Sequence, residues 1–404
     1  MGNFYDWRTD SFYSDDGADR DGCTAISSER ATDRDPFGFP GFAQAMHNTN
    51  SSVILMFNVI DDNVTESVAR LKVRTPALPR IDWIELGNEN YGSPQSCGHI
   101  NTKLTSPPRA EDYEAFTAKV VAGLRSSGLP RVPPVAAPLQ ASWVAGGWNS
   151  ALTNSSVMYD GFVMHPYVGV DDAFFTPETA AKILLASGVM RADLLRFGEV
   201  AGKQRPLLLT EFGILGTTTG TFIQTLGQAS MYMGILDLWR RREVNIVQAG
   251  IHILLAGSPS SPSALFAWDV EGNKTVATPT GVVWRKFVQV LENSVLLGVT
   301  STTLQLPGGT AAVDVVAVRG TVGGLSLLVV NKLGVAAEIR PASSVNAPHS
   351  VCGVEVFTMP ALSWGKFDIS DVDALWTKQP RNGSHVGSAT VPPISIAVVQ
   401  LCPQ

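Results

Sequence analysis

The chain has 404 residues, more than one ordinary domain needs, with 45% hydrophobic and only 16% charged, which supplies a large core and excludes a disordered polyelectrolyte. Its formal net charge is −6, with Lys and Arg scattered rather than clustered, so no nucleic-acid or anionic-membrane surface is expected. No apolar run reaches the roughly 18 residues that a bilayer crossing requires.

Residues 1–40 are polar, rich in Asp, Gly and Arg and without period; they read as a long loop. A short helix end follows at 42–47, then an apolar strand at 53–60 with no alternation, the kind a parallel sheet buries on both faces. Helix is predicted at 64–73, strand at 81–86 and an amphipathic helix at 111–126. Short strands at 135–137 and 161–164 precede a long helix at 177–197. Strand 207–210, helix 221–241, strand 246–255 and a closing helix at 280–292 complete the series. Such repeated alternation predicts a parallel α/β architecture with barrel-type strands. After Val295 the character changes to short strands between turns, at 313–318, 325–331 and 394–401, as in an all-β sandwich. The expected domains are 1–296, a (β/α) barrel, and 297–404, the sandwich.

The chemistry gathers where apolar runs stop. Residues 81–90 read Ile-Asp-Trp-Ile-Glu-Leu-Gly-Asn-Glu-Asn, so Asn88 and Glu89 follow a strand end, where barrels carry catalytic groups. Leu207-Leu208-Leu209-Thr210 likewise ends in Glu211. Two carboxylates at strand ends suit glycosidic-bond hydrolysis, one donating a proton and the other attacking or activating water. Glu89 fits the acid, with Asn88 donating to a neighbouring sugar hydroxyl, and Glu211 fits the nucleophile. The bland alternatives are a Glu89 that caps the next segment and a Glu211 that merely closes a strand. Asp82 and Glu85 read as structural.

His165 and Tyr167 follow strand 161–164. A Tyr hydroxyl can hold the nucleophile's carboxylate, and the His can contact substrate or tune the acid; the alternative is a satisfied loop histidine. Trp7, Trp143, Trp148 and Trp268 fall in predicted loops, where rings stack on apolar sugar faces or simply pack. No metal spacing, phosphate loop or serine-hydrolase elbow is present, so neither metal nor cofactor is expected.

Cys352 and Cys402 can pair, as can Cys23 and Cys97; four free thiols is the other reading. Sequons begin at Asn50, Asn63, Asn154, Asn273 and Asn382. Together these favour a secreted glycoprotein, although Gly2-Asn3-Phe4-Tyr5 after Met1 has no signal-peptide pattern.

These residues together resemble the clan A retaining glycoside hydrolases, and most closely the family 51 α-L-arabinofuranosidases. Gly2-Asn3-Phe4-Tyr5-Asp6-Trp7 is similar to the tail of a family segment, which implies that Asn3 and Trp7 approach the sugar. Phe37-Gly38 and Phe42 resemble its next helix start, and 55–58 its third strand. Leu86-Gly87-Asn88-Glu89 matches the acid/base motif, His165 and Tyr167 the sixth-strand pair, and Glu211 the nucleophile. Thr278-Pro279-Thr280 and Val391-Pro392-Pro393-Ile394-Ser395 resemble the barrel's end and the last sandwich strand. Where the family usually has Glu-Trp-Asn, this chain has Glu211-Phe212-Gly213, a pattern of other clan A families.

The resemblance implies a (β/α)8 TIM barrel lacking its first two strands, hence a poorly stable, inactive or incomplete product. It implies an exo-acting α-L-arabinofuranosidase on plant-type or algal polysaccharide, working by double displacement. A xylosidase, glucuronidase or endo-glycanase is the enzymatic alternative, and a non-catalytic carbohydrate-binding remnant the other.

Overall fold

The computed structural model describes residues 38–57, 64–88, 91, 109–141, 147–170, 176–216, 221–252, 254–256, 264–298, 305–307, 310–321, 323–341, 349–361, 363–379 and 387–403, with the backbone of 5–6, 11–13 and 34–35. The fold is mixed α/β, with a parallel sheet and a separate antiparallel one. Short strands β1 (Tyr5–Asp6), β2 (Ser11–Tyr13) and β3 (Arg34–Asp35) pair antiparallel in that order. Then come α1 (Gly38–Asn48), β4 (Val53–Phe57), α2 (Val64–Arg74), β5 (Ile81–Leu86), α3 (Ala110–Arg125), β6 (Val135–Leu139), α4 (Trp148–Thr153) and β7 (Gly161–Met164). The middle of the chain holds β8 (Tyr167–Val170), α5 (Pro177–Ala201), β9 (Leu207–Leu209), β10 (Gly213–Gly216), α6 (Phe222–Arg241) and β11 (Ile246–Ala249). Beyond them lie β12 (Leu255–Ala256), β13 (Phe266–Asp269), β14 (Lys274–Ala277) and α7 (Pro279–Leu291). The last part consists of β15 (Ser294–Leu297), β16 (Val313–Gly320), β17 (Leu325–Asn331), β18 (Ala337–Ile339), β19 (His349–Phe357), β20 (Thr377–Lys378), β21 (Ala389–Val391) and β22 (Ser395–Pro403).

The chain forms two compact units: Met1–His165 with Val200–Leu208, and Pro166–Glu199 with Leu209–Gln404. In the first, β4, β5, β6, β7 and the Leu207–Leu208 part of β9 run parallel, side by side. Apart from β5, which carries Asp82 and Glu85, their apolar runs are continuous, as suits strands covered on both faces. On β5, Ile84 and Leu86 are fully buried, and Tyr113 of α3 donates its hydroxyl to Leu86 O at 2.7 Å. The opposite face puts Trp83 beside Ile54, Ala136, Val163 and Leu208.

In the second unit the helices supply one layer and the antiparallel sheet the next. That sheet runs β15-β16-β17-β22-β19-β20. Period-two alternation splits its faces. Val316, Val318, Leu328, Val330, Ile396 and Val398 pack with Phe222, Leu226 and Phe287 of α6 and α7. The intervening Val313, Val329, Ala397 and Val399 pack toward Ala389 and Val391 of β21, which pairs with β18. Helices thus cover one face of the sheet, and among the described residues the two-stranded β18-β21 sheet packs on the other.

A buried ion pair ties these layers together. Lys332, just past β17, places Nζ 3.0 Å from Asp314 Oδ2 on β16 and donates to Ser230 Oγ on α6 at 3.0 Å. Ser230 in turn donates to Ser187 on α5 at 2.7 Å. Cys352 and Cys402 form a disulfide across β19 and β22. Cys352 is the extra residue of a bulge between Val351 and Gly353, which also disguises β19 in the sequence.

The predicted strand 246–255 is broken after Ala249, since Gly250 comes so close to the chain that a Cβ there would stand 3.1 Å from Thr210 O. Its N–H donates to Leu209 O at 2.7 Å, and pairing resumes only in β12, against β13. The start of α7 is tighter still. Thr278 caps it, accepting from Gly281 N at 3.0 Å while donating to Ala264 O at 2.6 Å, and Pro279 opens the helix. A Cβ on Gly281 would lie 1.9 Å from the carbonyl oxygen of Leu265. Gly281→Ala is therefore expected to destabilise the protein by about 3 kcal/mol, the upper end for overpacking, read as a lower urea midpoint at unchanged slope. A midpoint equal to that of the parent would contradict this packing.

Candidate active site

In the first unit, β5 ends at Leu86 and the chain turns at Gly87, whose φ of +84° suits glycine and whose N–H reaches Glu85 O at 3.1 Å. The turn delivers Asn88, half-buried, beyond the strand end. Glu89, Asn3, Trp7 and Trp143 lie outside the described residues, as do Cys23 and Cys97. His165 follows β7 directly and is buried, with Nε2 3.6 Å from Glu85 Oε1.

In the second unit, β8 and β10 pair in parallel with Tyr167 opposite Gly213. That register brings the Tyr167 side chain to Glu211, and the phenol donates to Oε2 at 2.7 Å. A hydrogen bond to an ionised acceptor is short and strong, and it fixes which way the carboxylate points. The segment after Glu211 is pinned from α6. Gln228 Oε1 accepts from Ile214 N at 3.1 Å, and its Nε2 donates to Phe212 O at 3.4 Å. Phe212 is fully buried, stacked on Tyr232 at 6.5 Å and tilted against Trp284 at 6.3 Å. His252 presents a perpendicular ring to Tyr167 at 6.1 Å between centroids. The Glu211 carboxylate is thus held just past a strand end, partly open to solvent.

Of the expected site residues, Tyr167 and Glu211 are in direct contact. Trp268 stands on β13 rather than in a loop, and is 40% exposed. Trp148 is corrected more strongly. It opens α4 and is buried, packing on Tyr113 at 4.9 Å and donating to Pro138 O at 2.7 Å, so it is core rather than a sugar platform.

Gln228, His252 and the Glu85–His165 contact are additions that the sequence reading lacked. The signal for Gln228 was a glutamine in the middle of a helix rich in apolar residues; for His252 there was only a histidine within the predicted strand 246–255. Among the described residues, no group of three or more His, Cys, Asp or Glu side chains is placed to hold a metal ion. Nor is any helix there long and apolar enough to cross a membrane.

No protein-family model and no curated protein sequence matches the chain. Solved structures do. The family 51 glycoside hydrolase arabinofuranosidase from Xanthomonas axonopodis pv. citri superposes with a TM-score of 0.69 at 18% identity, covering 100% of this chain and 86% of that one. The α-L-arabinofuranosidase from Thermotoga maritima, in an arabinose complex, gives 0.68 at 15% identity with the same 100% and 86% coverage. A family 86 β-porphyranase from Bacteroides plebeius gives 0.52 at 15% identity, covering 88% of this chain and 63% of that one. The chain thus shares the fold of the family 51 α-L-arabinofuranosidases.

Proposed function

We propose that the chain is a retaining clan A glycoside hydrolase, an exo-acting α-L-arabinofuranosidase on plant-type or algal polysaccharide. The observation that carries this reading is the Tyr167–Glu211 hydrogen bond, which orients a strand-end carboxylate in a fold shared with arabinofuranosidases. Glu211 attacks the anomeric carbon while Glu89 protonates the leaving oxygen, and the glycosidic bond breaks as the glycosyl–Glu211 ester forms. Glu89 then takes a proton from water, whose oxygen attacks the same carbon, releasing the sugar with its configuration retained and restoring both carboxyl groups. Asn88 donates to the hydroxyl beside the reacting carbon, and His165, Asn3, Trp7 and Trp268 line the sugar's site. The chemistry needs neither metal nor cofactor.

Residues 1–296 are proposed as the catalytic domain and 297–404 as its companion, a division supported by the antiparallel sheet opening at Ser294. We also propose secretion and N-glycosylation, supported by the Cys352–Cys402 disulfide and by exposed sequon asparagines at Asn50, Asn154 and Asn273.

A panel of 4-nitrophenyl glycosides tests the reading. The α-L-arabinofuranoside is expected to be cleaved fastest, with the first-formed product in the retained configuration by proton NMR. Preference for a xyloside or glucuronide moves the specificity within the clan. Binding of an oligosaccharide by folded protein with no turnover of any glycoside overturns the enzyme.

A further inference from the structure

Glu85 is a buried acid that the double displacement does not use. It is 2% exposed, on β5 between the fully buried Ile84 and Leu86. Side chains alternate along a strand, so Glu85 shares the face of Trp83, which packs on Val163 in the inner apolar cluster. Two residues further along each strand, Glu85 follows Trp83 and His165 follows Val163. The next layer toward the strand ends is therefore a carboxyl–imidazole pair on top of an apolar one. Its side chains are no more than 3% exposed, with His165 Nε2 and Glu85 Oε1 3.6 Å apart. Glu85 Oε1 accepts no hydrogen bond within the described residues, and a carboxylate buried in this way is costly unless a cation or donor stands opposite.

We propose that Glu85 is a positioning residue of the site: its carboxylate holds a proton on Nε2 of His165 and fixes the ring, so that Nδ1 is the nitrogen that meets the sugar. With the site read as that of a glycoside hydrolase, part of the cleft then depends on an acid that never touches substrate. The neighbouring strands put Met56 and Ala136 opposite Glu85, and neither titrates. From α3 the Tyr113 phenol also acts on it, but burial holds that phenol well above its ordinary value, so it stays neutral. Among the described residues, the acid facing His165 Nε2 is Glu85.

The test follows histidine-labelled protein by nitrogen-15 NMR, assigning His165 among the six histidines with His165→Gln. Its titration is compared in parent, Glu85→Gln and Glu85→Asp, beside kcat and KM on the aryl glycoside. In Glu85→Gln the midpoint is expected to fall by about one pH unit, a tenfold loss of proton affinity, with kcat lowered about tenfold and KM little changed. Glu85→Asp is expected to recover part of both, and if the Gln variant does not fold, the Asp variant carries the comparison alone. An unmoved midpoint overturns the pair. A moved midpoint with parental kcat makes the pair structural and overturns the positioning role. A moved midpoint in a chain that cleaves no glycoside overturns the hydrolase reading and leaves the pair standing.

Discussion

Glu211→Gln is expected to lower kcat on 4-nitrophenyl α-L-arabinofuranoside by at least about 10⁴-fold, because an amide cannot form the glycosyl ester. The fold should be untouched, since glutamine keeps the volume and an oxygen for the 2.7 Å bond from Tyr167. Tyr167→Phe isolates that bond. Hydrogen bonds to charged groups contribute about 1.5–3 kcal/mol, so a loss of roughly 10- to 100-fold in kcat/KM is expected, with thermal stability near parental. Glu89→Gln should behave differently again, sparing substrates whose leaving group needs no proton. These variants separate the roles: an active Glu211→Gln removes the nucleophile assignment, whereas an active Tyr167→Phe removes only the orienting bond.

The second large effect concerns stability. Lys332→Met is expected to cost about 3–5 kcal/mol, because it leaves Asp314 buried without its cation and takes a donor from Ser230. The Lys332 side chain is wholly buried, so solvent cannot replace what is lost. The pH dependence has a definite sign. Burial already raises the Asp314 carboxyl above its ordinary value, with Lys332 and Ser230 pulling it back down. Removing Lys332 raises it further. An acid raised on folding binds more protons folded than unfolded over the window between its ordinary and raised values, so stability falls as pH climbs through it. The variant should therefore unfold at lower urea at neutral pH than at mildly acidic pH, to a greater degree than the parent. Pairing Lys332→Met with Asp314→Leu should restore most of the loss, since a well-packed apolar pair is often as stable as a buried ionic one. Equal stability of parent and Lys332→Met at neutral pH would show that the pair is solvated.

Element positions were legible wherever a local pattern existed. The β5 strand coincides with its predicted 81–86, and α2, α3 and β7 lie within a residue or so of theirs. Failures came where the pattern was interrupted. Gly250 ended β11 early and the Cys352 bulge hid β19. Tyr167 and Glu211, which share a hydrogen bond, were readable because each follows an apolar strand. Gln228 was not, because only the packing of α6 reveals which way its amide faces.

By itself the sequence determined where most of the main helices and the parallel strands lie, and that Glu211 follows a strand end. Continuous apolar runs and 3.6-residue periodicity are local properties, written in neighbouring residues. Only the tertiary structure decided the partners. Tyr167 meets Glu211 across 44 residues and Lys332 meets Ser230 across 102, and no period in the chain encodes a contact at such separations. These pairs are set by strand register and by which faces the core turns inward, which emerge once the whole chain has packed.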